Sequence, residues 1–375
     1  MGKRIRTTHV GSLPRKQQVV DLIFAREKQE NYDQGEFDQT MTAHVSSIVA
    51  KQVEAGIDIV SDGETSKISY ATYVKDRYHG FGGDSERNAP ADLKLFPDFL
   101  QKLAQQGGTP DYSRPMCIAD ISSKGGNDLQ NDISNLSAAV SEHGASQGFM
   151  NSASPGVISL FLPNNHYASR EKYLEVLADV MKAEYEAIVD SGLHLQLDCP
   201  DLALSRHMLF TDLSDDEFVK VADLHVEILN HALRDIDKSK VRLHICWGNY
   251  EGPHVCDISM SKMFDTLMKV DAQHLLFETS NPRHAHEWTV FRDRKTEIPE
   301  NKVLVPGVID STTNFVEHPE LVAQRIRHFT DIVGMDRVIA GSDCGFGTFA
   351  GFGAVAPDIA FAKLSSLAEG AALVS

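Results

Sequence analysis

"YLEVLADVMKAEYEAIVDSGLHLQLDCPD", residues 173–201, changes its period part-way along. Up to residue 192 the apolar positions Leu174, Leu177, Met181, Tyr185 and Ile188 step by three and four, which is one face of a helix, and Gly192 is a natural stop. From 193 the pattern becomes the short run "LHLQLD", of strand length. A helix feeding straight into a strand is half of a βαβ unit, and it ends on a carboxylate, Asp198.

Working outward, the same alternation recurs. "LVAQRIRHFTDIVG" and "ISMSKMFDTLMKV" read as further helices. Short apolar runs occur at 4–9, 57–62, 148–153, 193–198, 242–247, 274–279, 302–308 and 337–342. Eight strands separated mostly by helices point to parallel βαβ units, and eight such units close a (β/α)8 TIM barrel. A doubly wound open sheet is the alternative. A ninth run, "CIADI" at 117–121, falls in a polar, Gly-rich stretch and predicts an inserted hairpin or loop region around residues 80–125. Residues 1–375 then read as a single (β/α)8 catalytic domain.

Composition narrows the partners. Of 375 residues, 42% are hydrophobic and 24% charged, enough for a substantial core. Thirty-six Lys and Arg against 53 Asp and Glu give a formal charge of −17, the wrong sign for nucleic acid or an anionic membrane surface. The N-terminal stretch lacks a signal-peptide core, so a cytoplasmic location is expected. Five scattered cysteines are no disulfide framework; in a reducing compartment they read as core, metal or catalytic residues. "GFGTFAGFG" (345–353) lacks dinucleotide-loop spacing and reads as a flexible loop at the barrel mouth.

The chemistry-bearing side chains cluster at predicted strand ends, where a barrel carries its active site. His244 and Cys246 close one strand and, two positions apart, share a face. Such a pair is either two core residues or two ligands. Glu278 closes the next strand and Cys344 follows the last. One imidazole, two thiolates and a carboxylate suit tetrahedral Zn²⁺.

In order and position, "TTHVGSLPR", "IVSDGE", "LQLDCPD", "HICWGNY", "LLFETS", "GVIDS" and "GSDCG" resemble the catalytic barrel of cobalamin-independent methionine synthase. The resemblance implies that His244, Cys246, Glu278 and Cys344 are zinc ligands. It assigns Gly11 and Ser12 to the carboxylate end of an amino-acid thiol, and Glu64 and Asp198 to its ammonium group. Asp198 has a plainer reading as a helix N-cap, and His284 one in a helix start with Asn281 as cap and Pro282 at N1. His284 is kept as a candidate substrate contact.

The match departs in three places. The methionine synthases carry a second, N-terminal barrel for which this chain has no room. They read Asp-Glu-Pro where this chain has Asp198-Cys199-Pro200. Their histidine that helps protonate the departing folate nitrogen is replaced by Thr312, which cannot be a general acid near neutral pH. "WGNYEGPH" and "GVIDSTTNFVEHPE" are similar instead to the compact single-barrel branch that includes the epoxyalkane:coenzyme M transferases. The resemblance therefore implies a zinc-dependent thiol methyltransferase or alkyltransferase, with Asp198, Glu64 and Thr312 at the reacting centre. Its partners would be a homocysteine-like or coenzyme M-like thiol and an alkyl donor, and a homo-oligomer is possible. A non-catalytic zinc protein is the competing reading; ligands on separate strands, with a carboxylate among them, favour catalysis.

Overall fold

The computed structural model describes residues 4–86, 89–105 and 113–374. Positions 87–88 and 106–112 of the predicted insertion, along with the chain ends, lie outside the described residues. The strands are β1 (Arg6–Thr7), β2 (Ile59–Ser61), β3 (Tyr78–Gly82), β4 (Met116–Ser123) and β5 (Gln147–Ala153), followed by β6 (His194–Asp198), β7 (Val241–His244), β8 (His274–Phe277), β9 (Val303–Ile309) and β10 (Ile339–Ser342). Eight form one parallel sheet in the order β1-β10-β9-β8-β7-β6-β5-β2. Its two end strands meet: the Asp58 amide donates to the Thr7 carbonyl at 3.2 Å, and the Thr8 hydroxyl to the Ile59 carbonyl at 3.0 Å. The sheet is thus a nearly closed TIM barrel. β3 and β4 pair antiparallel outside it, so the ninth run is one arm of an inserted hairpin.

The helices form where the apolar period places them. The one over Arg170–Asp190 starts at Ser169, whose hydroxyl accepts from the Lys172 amide, and stops before Gly192, at φ +89°. Leu174, Leu177, Met181, Tyr185 and Ile188 are all fully buried against the sheet. Helices at Met260–Met268 and Pro319–Val333 match the other two patterns. No helix among the described residues is long and apolar enough to cross a membrane.

Inside the barrel, Ile59, Phe149, Leu276, Val303, Val305 and Ile339 form an apolar cluster. Arg242 lies across it, 3.7 Å from the Phe149 ring centre, and donates to the Thr8 hydroxyl and the His9 carbonyl. The two-residue period of a strand carries each inward row from this floor to the mouth. Gln196 leads to Asp198, Arg242 to His244 and Cys246, Leu276 to Glu278, and Phe149 to Asn151. Apolar packing below therefore aims polar groups at one end of the barrel.

Candidate active site

His244, Cys246 and Cys344 converge, all buried, with one ligand atom from each lying within 4.8 Å of the others. The two sulfurs are 3.8 Å apart. The His244 Nδ1–H donates to Asp198 Oδ1 at 3.2 Å, which fixes the tautomer and leaves a lone pair on Nε2. That nitrogen is buried and has no hydrogen-bond partner.

Glu278 stands beside the triangle rather than within it. Its oxygens accept from the Trp247 amide at 3.0 Å and the Asn281 side chain at 2.7 Å. Burial, then the adjacent Cys246, pushes its carboxyl up to about 8. The hydrogen bond with Cys246, then burial, raises the Cys344 thiol well above the ordinary range. A dication held among these groups would favour the ionised form of each. With the unpartnered His244 nitrogen, the donor set fits Zn²⁺.

A second group faces Asp198. Glu64 is buried and sits in the left-handed region at φ +56°, a costly conformation for a residue with a side chain. The Asp62 side chain accepts from its amide at 2.9 Å, and Arg15 donates to its carbonyl at 2.6 Å. Burial and the Asp198 charge push Glu64 up to about 8, and its Oε2 has no partner. Asp198 Oδ2 accepts from Asn151 Nδ2 at 2.9 Å. Asp198 thus does not cap the following 3₁₀ turn, whose leading residue, Cys199, makes no side-chain cap.

Gly11 lies against Asn151: a Cβ there would come within 2.3 Å of Asn151 Oδ1. Ser12 is buried beside it, and its hydroxyl accepts from the Gly347 amide at 3.4 Å. The loop at 345–353 is tied down. Arg15 donates to the Gly347 carbonyl at 2.7 Å, the Ala350 amide to the Ile68 carbonyl at 3.0 Å, and Phe349 bridges to Ser69.

The other two predicted residues are engaged elsewhere. His284 is buried with its ring 4.5 Å from that of Trp247; Nδ1 bonds Glu287 at 2.8 Å and Nε2 bonds Asp257 at 2.9 Å. Neither nitrogen is left for a substrate. Burial opposes charging this ring, but the bonds to Asp257 and Glu287 outweigh it and raise it to about 10. Asn281 accepts from the Arg283 and His284 amides at 3.1 Å, but in a turn and not at a helix start: the helix begins only at Trp288, with Glu287 at its N-cap. The Thr312 hydroxyl donates to Asp310 at 2.9 Å, closing a local turn.

Three supporting residues went unread in the sequence. Asn151 bonds Asp198. Asp257 gathers His254 and His284, each at 2.9 Å, and His207 at 3.3 Å. Asp343 accepts from the amides of Thr279, Ser280 and Asn281 at 2.8–2.9 Å, holding the loop that follows Glu278.

The catalytic-domain profile of the cobalamin-independent synthases matches residues 5–86 and 108–357. The chain belongs to that family. It is therefore a member of a methyltransferase family, and the resemblance in its motifs is borne out. Curated relatives include a methionine synthase of Sulfolobus acidocaldarius, 23% identical over 90% of this chain and 85% of that one. Another, from Saccharolobus islandicus strain Y.N.15.51, is 23% identical over 98% of this chain and 94% of its own length. Both relatives are matched over most of their own length. A B12-independent methionine synthase structure from Shewanella sp. W3-18-1, in complex with selenomethionine, aligns with a TM-score of 0.72 at 20% identity, covering 99% of this chain and 98% of that one. A putative Listeria monocytogenes enzyme aligns at 0.67 and 17%, covering 99% of each. These two likenesses support the barrel fold.

Proposed function

We propose that this family member is a zinc-dependent transferase that moves a methyl or other alkyl group onto a homocysteine-like thiol. The observation that carries the reading is the buried His244, Cys246 and Cys344 triangle, joined through Asp198 to a second buried acid, Glu64. His244, Cys246 and Cys344 would hold the ion, with Glu278 as the fourth donor. Bound there, zinc would stabilise an incoming thiol as its thiolate near neutral pH.

The protein's own groups supply orientation. Asp198 keeps the His244 lone pair on Nε2. The Trp247 amide and Asn281 keep the Glu278 oxygens aligned beside Cys246. Glu64 and Asp198 would take the thiol's ammonium, with Gly11 and Ser12 at its carboxylate end. An anionic thiol of the coenzyme M kind would bring its sulfonate against two acids, so the amino-thiol is the better fit. Thr312, already donating to Asp310, gives a departing folate nitrogen no proton source. A donor that needs no such proton, such as a methyl-corrinoid, suits the site better.

The test is metal analysis followed by thiol alkylation assays with methyl-corrinoid, methyl-folate and small epoxides. About one zinc per chain is expected, and Cys246→Ser and Cys344→Ser should lose metal and activity while keeping the barrel's circular dichroism. Full zinc occupancy in both variants would overturn the ligand assignment. Transfer to coenzyme M but not to homocysteine would overturn the acceptor.

A further inference from the structure

We infer that Asn151 is a third contact for the substrate's ammonium group, and that it sets the preference for amino-thiols over thiols of the same length without the nitrogen. The inference rests on the amino-thiol reading above.

The orientation of the Asn151 amide follows from its neighbours. One end lies 2.9 Å from Asp198 Oδ2 and 3.0 Å from the Val10 carbonyl oxygen. Both are acceptors, so that end is the NH2 group, and the oxygen must point the other way. There Oδ1 is buried and meets no donor, in a residue that is 1% exposed. A buried carbonyl oxygen without a donor is costly.

Glu64 Oε2 and Gln196 Oε1 are also buried side-chain oxygens without a hydrogen-bond partner. Gln196 pairs in register with Arg242 on the next strand, where Nε is an unpartnered donor of its own. Glu64, which also feels the Lys67 and Arg15 charges, and Asn151 both border Asp198. An ammonium group has three N–H donors and no acceptor. Glu64 Oε2, the Asp198 carboxylate and Asn151 Oδ1 offer it three acceptors of the right kind. An amide also supplies the third without adding another negative charge to an acidic pair already in conflict. The Asn151 Nδ2–H meanwhile steadies Asp198, so one side chain fills both roles.

The experiment measures binding of homocysteine and of 4-mercaptobutanoate, which lacks only the nitrogen, to zinc-loaded protein by titration calorimetry. Wild type should prefer homocysteine. In Asn151→Ala the ratio of the two affinities should fall about 10- to 100-fold, as for a lost hydrogen bond to a charged group. Asn151→Ser, a smaller polar residue, guards against a variant that does not fold and should show the same selective loss. Equal weakening of both thiols, with the ratio intact, would make Asn151 merely structural and overturn the inference. Wild type with no preference for homocysteine would overturn it too, and would place the failure in the amino-thiol reading instead.

Discussion

Gly11→Ala puts the geometry of the proposed thiol site under direct strain. A Cβ at residue 11 would lie 2.3, 2.5 and 2.7 Å from the Asn151 amide oxygen, nitrogen and carbon. No real Cβ sits that close, so the amide must swing away. It then gives up its bond to the Val10 carbonyl, worth about 0.5–1.5 kcal/mol, and its bond to the Asp198 carboxylate, worth about 1.5–3. Gly11 also sits at φ +146°, which side chains rarely adopt, adding about 1–3 kcal/mol of backbone strain. The total is about 3–7.5 kcal/mol, against a typical whole-protein stability of about 5–15. The assay is the urea midpoint of the variant, with homocysteine affinity measured alongside. Because the clash needs the Asn151 side chain, Gly11→Ala in an Asn151→Ala background should cost at least about 1 kcal/mol less than in wild type. A Gly11→Ala protein with the wild-type midpoint would refute the reasoning, as would strict additivity in the double variant.

Asp198→Asn should weaken zinc about 10- to 100-fold, because the carboxylate orients His244. Glu64→Gln should leave zinc in place and weaken only amino-thiol binding, and equal zinc affinity in the two variants would break the assignment. His9, His44 and His194 are pushed down to about 4 and His274 to about 3, each mainly by burial. Depressed imidazoles stay neutral in the fold while the unfolded chain takes up protons. Stability should therefore fall as pH drops from about 6.5 towards 4. His44 has no partner at either nitrogen, so His44→Leu should flatten that acid limb, and an unchanged urea-midpoint profile would exclude His44 as a contributor. Thr312→His should raise any folate-dependent rate by up to the ~10²–10⁴-fold typical of general acid catalysis and leave a corrinoid reaction unimproved. Efficient folate turnover by the unmodified protein would show that residue 312 does not decide the donor.

The barrel could be read from the sequence because burial on both faces of a parallel strand leaves an apolar run, and because helices repeat near three and four. All eight predicted runs became barrel strands, including the one that yields only the two residues of β1. The donor triangle was legible for a related reason: His244 and Cys246 share a face by strand period, and Cys344 directly follows the last strand. Asn151, Asp257 and Asp343 were not. Asn151 lies inside "GFMNSA", which reads simply as a strand, and its partner Asp198 is 47 positions away. Asp343 meets its amides more than 60 positions away. A side chain's hydrogen-bond partner across a barrel leaves no period in the chain. Residues whose work is to hold another residue are therefore the ones that sequence pattern passes over. His284 illustrates the converse. Its place near the donors suggested substrate, whereas Asp257 and Glu287 claim both its nitrogens.

The position of Asp198 links the two halves of the site more tightly than a list of ligands suggests. One oxygen accepts from His244 and the other from Asn151, while its charge is felt by Glu64. The group that orients a metal-facing imidazole is thus the group beside which the ammonium would sit. A thiol that reaches both must have a fixed span between sulfur and nitrogen, because neither end of the site can shift without dragging Asp198. The alkyl donor is under no such constraint. It would approach from the mouth, where Thr312 is only partly buried. On the proposed reading, a site built this way would hold its acceptor thiol narrowly and constrain its electrophile less.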